Sequence, residues 1–233
     1  MMETASYTAR KGELETYFDR TAADAWAKLT SDAPVSRIRA TVRAGRDAMR
    51  ATLLSCLPDD MTGRTLLDAG CGTGALAVEA ARRGADVTAI DLSPTLVDLA
   101  RERTPVGGLD GRLTFISGDM LSPDLGRFDH VVAMDSLIHY ERSDMVSALA
   151  GLAERTRHSI LYTFAPKTPL LATMHMVGRL FPRSDRAPAI VPVARGAMHR
   201  DIDRHAGLAE WRIGRHAKIT SGFYMSCAQE LTR

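Results

Sequence analysis

The sequence predicts an α/β fold in which a mostly parallel seven-stranded sheet carries helices on both faces. Three observations carry this expectation. Apolar, strand-like runs alternate with helical patterns from about residue 64 to residue 165. The first run, Leu66-Leu67-Asp68-Ala69, passes into a glycine turn, Gly70-Cys71-Gly72-Thr73-Gly74, that opens a helix. Four carboxylates then stand at successive strand ends: Asp68, Asp91, Asp119 and Asp135.

Two helical patterns precede the turn and make residues 1–58 an N-terminal helical arm. In the first, Leu14, Tyr17, Phe18, Thr21, Ala25, Trp26 and Leu29 recur at three and four residues on one face. The second opens at Ser31-Asp32-Ala33-Pro34, buries Val35, Ile38, Val42, Met49 and Leu53, and stops at Leu57-Pro58. Its Arg39, Arg43, Arg46 and Arg50 fall at helical spacing on another face. A solvated surface is the plainer reading of that stripe, and a site for an anionic partner or substrate carboxylate the sharper one.

Residues 59–233 then form the sheet domain. Strands are predicted near 64–69, 86–90, 113–117, 128–134 and 158–165, with helices near 74–83 and 94–104 between them. A helix near 195–206 follows, and 209–216 and 221–231 read as a terminal antiparallel pair turning around Thr220-Ser221-Gly222. Residues 166–194 are an insert, a helical cap in this reading. Its first half, Leu170 to Phe181, is apolar nearly all round; its second, Pro182 to Pro188, is proline-punctuated and basic. Placed outside the carboxyl ends of the strands, such a segment can cover a flat hydrophobic substrate with arginines at its rim. Ordinary core or a dimer contact is the alternative.

Composition sets limits. A chain of 233 residues buries one sizeable core, and 30 basic against 28 acidic residues create no strong field for nucleic acid or membrane. Cys56, Cys71 and Cys227 form no paired motif, so neither a disulfide framework nor a protein-bound metal is expected. No signal-like start and no run of 18 apolar residues occurs, which predicts a cytoplasmic chain without a membrane span.

The glycine turn and the acids define the chemistry. Gly70, Gly72 and Gly74 let the backbone approach a ligand, and the helix behind them presents unpaired N–H groups. Asp91, about twenty residues further on, is placed to accept the hydroxyls of an adenosine ribose. Both a dinucleotide and S-adenosylmethionine satisfy that much. Charge decides between them: Asp68 repels an anionic pyrophosphate and attracts a sulfonium and an ammonium. The sequence therefore reads as an S-adenosylmethionine-dependent methyltransferase with a Rossmann-like sheet.

Beyond the cofactor motif, several segments resemble one family. They are Tyr17-Phe18-Asp19-Arg20-Thr21-Ala22, the Arg37–Arg50 helix with Gly45-Arg46, Met134-Asp135-Ser136-Leu137-Ile138-His139-Tyr140, and Phe164-Ala165-Pro166-Lys167-Thr168. Together with Asp68–Gly74 they are similar to the magnesium-protoporphyrin IX O-methyltransferases of bacteriochlorophyll-making purple bacteria, from about Leu14 to Met225. The resemblance implies esterification of one propionate of magnesium-protoporphyrin IX, with S-adenosylhomocysteine as the other product. It implies docking to magnesium chelatase and peripheral association with the photosynthetic membrane. It also marks His139 and Tyr17 as catalytic: His139 beside the methyl position, Tyr17 on an arm that closes over the cofactor. Read from spacing alone, His139 is a solvent-facing helix-start residue and Tyr17 packs beside Phe18.

In the expected cofactor site Leu92 packs on the adenine and Asp119-Met120 meet its polar edge. Asp135 and Ser136 follow the fourth strand. Met174, His175, Arg179 and Arg183 of the insert are substrate candidates, with His175 a candidate axial ligand for the porphyrin magnesium. Two other functions compete: a methyltransferase acting on a quinone or another aromatic acid, and a porphyrin carrier without turnover. A hydride-transferring dehydrogenase is disfavoured by Asp68 and by the lack of a Tyr-x-x-x-Lys pair.

Overall fold

The computed structural model describes residues 5–21, 29–30, 34–105, 107–167 and 189–233. The first helix, α1 (Ala5–Thr16), starts nine residues before the predicted stripe and gives way at Tyr17–Thr21 to a wider π-type turn. Tyr7 and Leu14 are its buried residues. Ala25 and Trp26 lie outside the described residues, as does the opening predicted at Ser31. The cap of α2 (Arg37–Leu54) is instead Ser36, whose hydroxyl accepts from the Arg39 N–H at 3.4 Å. Ile38 keeps the stripe of Gly45 and Met49 but falls in the first turn of the helix and is 54% exposed, against the expectation of burial.

The strands follow the predicted order: β1 (Thr65–Ala69), β2 (Asp86–Asp91), β3 (Leu113–Ser117), β4 (Phe128–Ala133) and β5 (Thr156–Phe164). Between them lie α3 (Ala75–Arg82), α4 (Pro94–Arg103) and α5 (Arg142–Ala153). No sequence pattern marked α5. Eight of its twelve residues are buried, so apolar side chains surround it and leave no amphipathic period to read. After α6 (Arg195–Arg204), the hairpin β6 (Arg212–Ser221) and β7 (Tyr224–Thr232) turns at Gly222-Phe223, two residues past the predicted centre.

The seven strands lie in the order β3-β2-β1-β4-β5-β7-β6. Only β7 runs against its neighbours, pairing antiparallel with β5 and β6. The order reverses between β1 and β4, and that switch point is where open α/β sheets hold ligands. Two cores cover the sheet. Met49 and Leu53 of α2, Ala77 and Ala80 of α3 and Val97 of α4 pack on one face. Leu14 of α1, Leu149 of α5 and Met198 of α6 pack on the other.

α2 reaches the sheet because Gly45 has no side chain: a Cβ there would lie 2.5 Å from the Tyr224 ring. Gly12 of α1 has nothing within 4 Å of the same position. Replacing a helical glycine by alanine gains about 1 kcal/mol of propensity, whereas overpacking costs about 1–3 kcal/mol. Gly12→Ala is therefore expected to raise the urea midpoint and Gly45→Ala to lower it. Equal effects of the two would show that α2 does not press on β7.

Candidate active site

Parallel strands deliver their carboxyl ends to one edge, and the predicted acids meet there. Asp68, in β1, is 1% exposed, and its Oδ2 has no hydrogen-bond partner among the described residues. Burial and the neighbouring charge of Asp91 push its pKa up to about 7. Asp91, ending β2, accepts the Gly72 N–H at 2.8 Å and the Ser93 N–H at 3.0 Å. It therefore shapes the glycine turn, and burial raises its pKa despite these bonds. Gly70, Gly72 and Gly74 all have positive φ. At Gly70 a Cβ would also strike the Ser136 side chain, 2.3 Å away. Larger residues are excluded there twice over, by conformation and by contact.

A cleft of roughly 660 Å³, counting its open mouth, runs along this edge and lies in the size range of cofactor sites. Gly70, Gly72, Asp91, Leu92, Met120, Asp135, Ser136 and His139 line it. Asp119 does not. Its Oδ1 accepts the Tyr7 hydroxyl at 3.0 Å and its Oδ2 pairs with Lys11 Nζ at 2.6 Å, so α1 holds the carboxylate expected at the adenine edge. These bonds keep its pKa below the usual range although burial opposes them. Residues near the N-terminus carried no recognisable pattern, and this contact was invisible in the sequence.

Asp135 is the one described non-glycine residue with positive φ, at 55°. Arg46 holds its Oδ2 at 2.6 Å, and Thr163 and Tyr224 donate to its Oδ1 at 3.2 and 3.1 Å. Arg46 is thus a site residue rather than part of a solvated stripe, and Thr163 and Tyr224 are additions the sequence reading lacked. Gly45 beside Arg46 was the available signal, since a mid-helix glycine marks a close approach.

His139 sits on a 3₁₀ turn (Leu137–His139) and is 8% exposed, which removes the solvent-facing alternative. Its Nδ1 lies 3.4 Å from the Ala189 carbonyl, and its ring meets the edge of Phe18 at 5.8 Å. Phe18 and Leu14 line the cleft; Tyr17 does not, and packs edge-on against Phe18 at 5.2 Å. Both flanks of the insert are fastened here. Lys167 N donates to Val193 O, and Val191 N donates to Ile138 O beside His139. Met174, His175, Arg179 and Arg183 lie outside the described residues.

Two buried polar atoms without partners among the described residues, Asp68 Oδ2 and Ser136 Oγ, flank the glycine turn. An unpartnered buried carboxylate is costly, and a cationic ligand is what relieves it. The residues present thus fit an adenosine-bearing cofactor of positive charge. Sheet and cleft together define a class I S-adenosylmethionine-dependent methyltransferase, and residues 66–159 match the family model described as "Methyltransferase domain". Residues 133–233 match the model described as "Magnesium-protoporphyrin IX methyltransferase C-terminus". The chain is 50% identical to the magnesium-protoporphyrin O-methyltransferase of Rhodobacter capsulatus over 95% of its own length and 96% of that protein's. The crystal structure of magnesium protoporphyrin IX methyltransferase from Synechocystis PCC 6803 with bound SAH superposes with a TM-score of 0.79 at 27% identity. That match covers 96% of this chain and 99% of the other. A ubiquinone biosynthesis O-methyltransferase of Methylocella silvestris is 39% identical over only 52% of this chain and 51% of its own. The chain belongs to the magnesium-protoporphyrin O-methyltransferase family.

Asp91→Ala removes the acceptor expected for the ribose and the acceptor that fixes the Gly72 N–H. Calorimetry with S-adenosylhomocysteine should show binding weakened by about 1–3 kcal/mol. Unchanged affinity would overturn the assignment.

Proposed function

We propose that the protein transfers the methyl group of S-adenosylmethionine to one propionate carboxylate of magnesium-protoporphyrin IX, leaving the monomethyl ester and S-adenosylhomocysteine. The observation that carries the substrate is the half-identity to the Rhodobacter capsulatus enzyme over nearly the whole chain. What supports the cofactor's place is the acidic edge of the sheet, with Asp68, Asp91 and the glycine turn as its holders. When bound there, the cofactor supplies an electrophilic methyl group.

A propionic acid has a pKa of about 4–5 and is ionised at neutral pH. Anionic oxygen and cationic sulfonium cancel as the ester forms, so no proton has to move. The protein's tasks are alignment and removal of water from the carboxylate, and positioning contributes several kcal/mol. Phe18 and Leu14 put apolar surface on the cleft wall for the second task. Tyr17, packed on Phe18, supports that surface from behind and carries a hydroxyl for the closed arm.

His139 serves the first task. A carbonyl only accepts, so the contact with Ala189 assigns the proton to Nδ1. The other ring nitrogen then offers a lone pair when the ring is neutral and a donor when it is protonated. An ionised propionate is held by the protonated ring; a protonated propionic acid would be met by the neutral one.

The insert, whose flanks meet beside His139, is in this reading the porphyrin cap, and Arg179 and Arg183 are candidates for the propionates and Met174 and His175 for the ring. Docking to magnesium chelatase and peripheral membrane association rest on the resemblance alone. Among the described residues no helix is long and apolar enough to cross a membrane.

Incubation of the purified protein with S-adenosylmethionine and magnesium-protoporphyrin should yield the monomethyl ester by mass spectrometry. Methylation of a quinone precursor with the porphyrin left unchanged would replace this reading by the competing one. For His139, the positioning account expects turnover on saturating substrate to fall on the alkaline side of a histidine ionisation. It also expects His139→Asn or Gln to retain more activity than His139→Ala. A general base would instead lose activity on the acid side and leave all three variants equally impaired.

A further inference from the structure

Ile38 and Phe223 are the two large apolar side chains that the described residues leave in water, each 54% exposed. They flank a single contact. Thr41 Oγ1 donates to the Ile38 carbonyl at 2.8 Å, and a Cβ at Gly222, next to Phe223, would lie 2.4 Å from that same oxygen. The pair also adjoins the cleft. Ile38 and Arg39 precede Gly45 and Arg46 by two helical turns, so they continue the same stripe of α2 about 10 Å further along its axis. Arg46 lines the cleft and pairs with Asp135, and Tyr224, next to Phe223, donates to that same carboxylate. Arg39 is exposed, and its guanidinium has no partner among the described residues.

We propose that this rim binds the part of the porphyrin that does not react, with Ile38 and Phe223 against the macrocycle and Arg39 on the propionate that stays free. The inference rests on the substrate reading given above. Methyl transfer uses one carboxylate of the diacid and leaves a second anion and a wide apolar ring to be placed. Two exposed apolar side chains beside an unpaired cation match that remainder. An apolar patch alone accepts any apolar ligand, and an arginine alone accepts any anion. Their juxtaposition at the mouth of the cleft selects a molecule that carries both. Arg39 is singled out among the arginines of its stripe because the others are engaged. Arg43 donates its Nε to the Leu29 carbonyl at 3.0 Å, Arg46 holds Asp135, and Arg50 pairs with Asp47 at 2.8 Å.

The test measures KM for magnesium-protoporphyrin and Ki for its dimethyl ester, an inhibitor with the same macrocycle and no carboxylate. All three side chains are exposed, so their replacement leaves the fold intact. Phe223→Ala should raise both constants by about threefold to tenfold, and Ile38→Ala should raise both by less. Arg39→Gln should raise KM by about threefold to tenfold and leave Ki as it was, with Arg39→Lys recovering part of the loss. Arg212→Gln, the same charge change at the far end of β6, should alter neither constant, and KM for S-adenosylmethionine should hold throughout. Unchanged constants in the Phe223 and Ile38 variants overturn the proposal, as does an equal rise of KM and Ki in Arg39→Gln. Kinetics left intact while the same variants lose binding to anionic phospholipid vesicles would make this face a lipid contact and overturn it too. Failure of the wild type to methylate magnesium-protoporphyrin at all would instead overturn the substrate reading, a distinct result.

Discussion

A buried carboxylate next to a second, half-buried one is the constraint around which this molecule is arranged. Parallel strands leave no choice about where their carboxyl ends go, so Asp68 and Asp91 are neighbours once β1 and β2 pair. Each charge raises the cost of the other in a low dielectric. Asp91 is relieved in part by the N–H groups of Gly72 and Ser93, which fold the glycine turn around it. Asp68 is left with one oxygen unmatched and its proton affinity raised into the neutral range. Such a site destabilises the empty protein and favours a cation. The function follows from that imbalance as much as from the shape of the cleft.

A second acid is treated in the opposite way. Asp135 is strained in backbone but fully engaged, held by Arg46, Thr163 and Tyr224. Its carboxylate thereby joins α2, the end of β4, β5 and β7. Gly45 allows this by letting α2 come down on Tyr224. Four residues later the His139 turn is tied to the flank of the insert through Ala189 and Val191. The arm, the flank of the insert and the antiparallel strand are thus anchored within one short stretch, residues 134–140. Arg46 offsets the charge of Asp135 at the cleft wall.

The sheet was readable because its parallel strands are short runs rich in apolar and β-branched residues closed by an acid or a glycine, a signature that edge strand β3 shares although only Phe115 in it is buried. Strands β2 and β3 matched to within a residue for that reason. α5 escaped because burial on nearly every side removes the period that reveals a helix. The site divided along the same line. Asp68, Gly70, Asp91 and Ser136 belong to one local motif or one strand end, and spacing finds them. Arg46, Thr163 and Tyr224 come from three distant segments and meet only through the topology. Asp119 shows the converse limit: its strand-end position was legible, but not that Tyr7 and Lys11 would claim it.

Proton release on cofactor binding tests the central claim most directly. If Asp68 titrates near pH 7 in the empty protein and faces a cation in the complex, binding lowers its pKa. Calorimetry at pH 7 in buffers of different ionisation enthalpy should then show a fraction of a proton released per S-adenosylhomocysteine bound. The release should grow as the pH falls from 7, fade only below the lowered pKa of the complex, where binding also weakens, and vanish well above pH 7, where Asp68 is already ionised. Asp68→Asn should abolish it. Binding with no proton exchange at pH 7, or with uptake, would contradict the account.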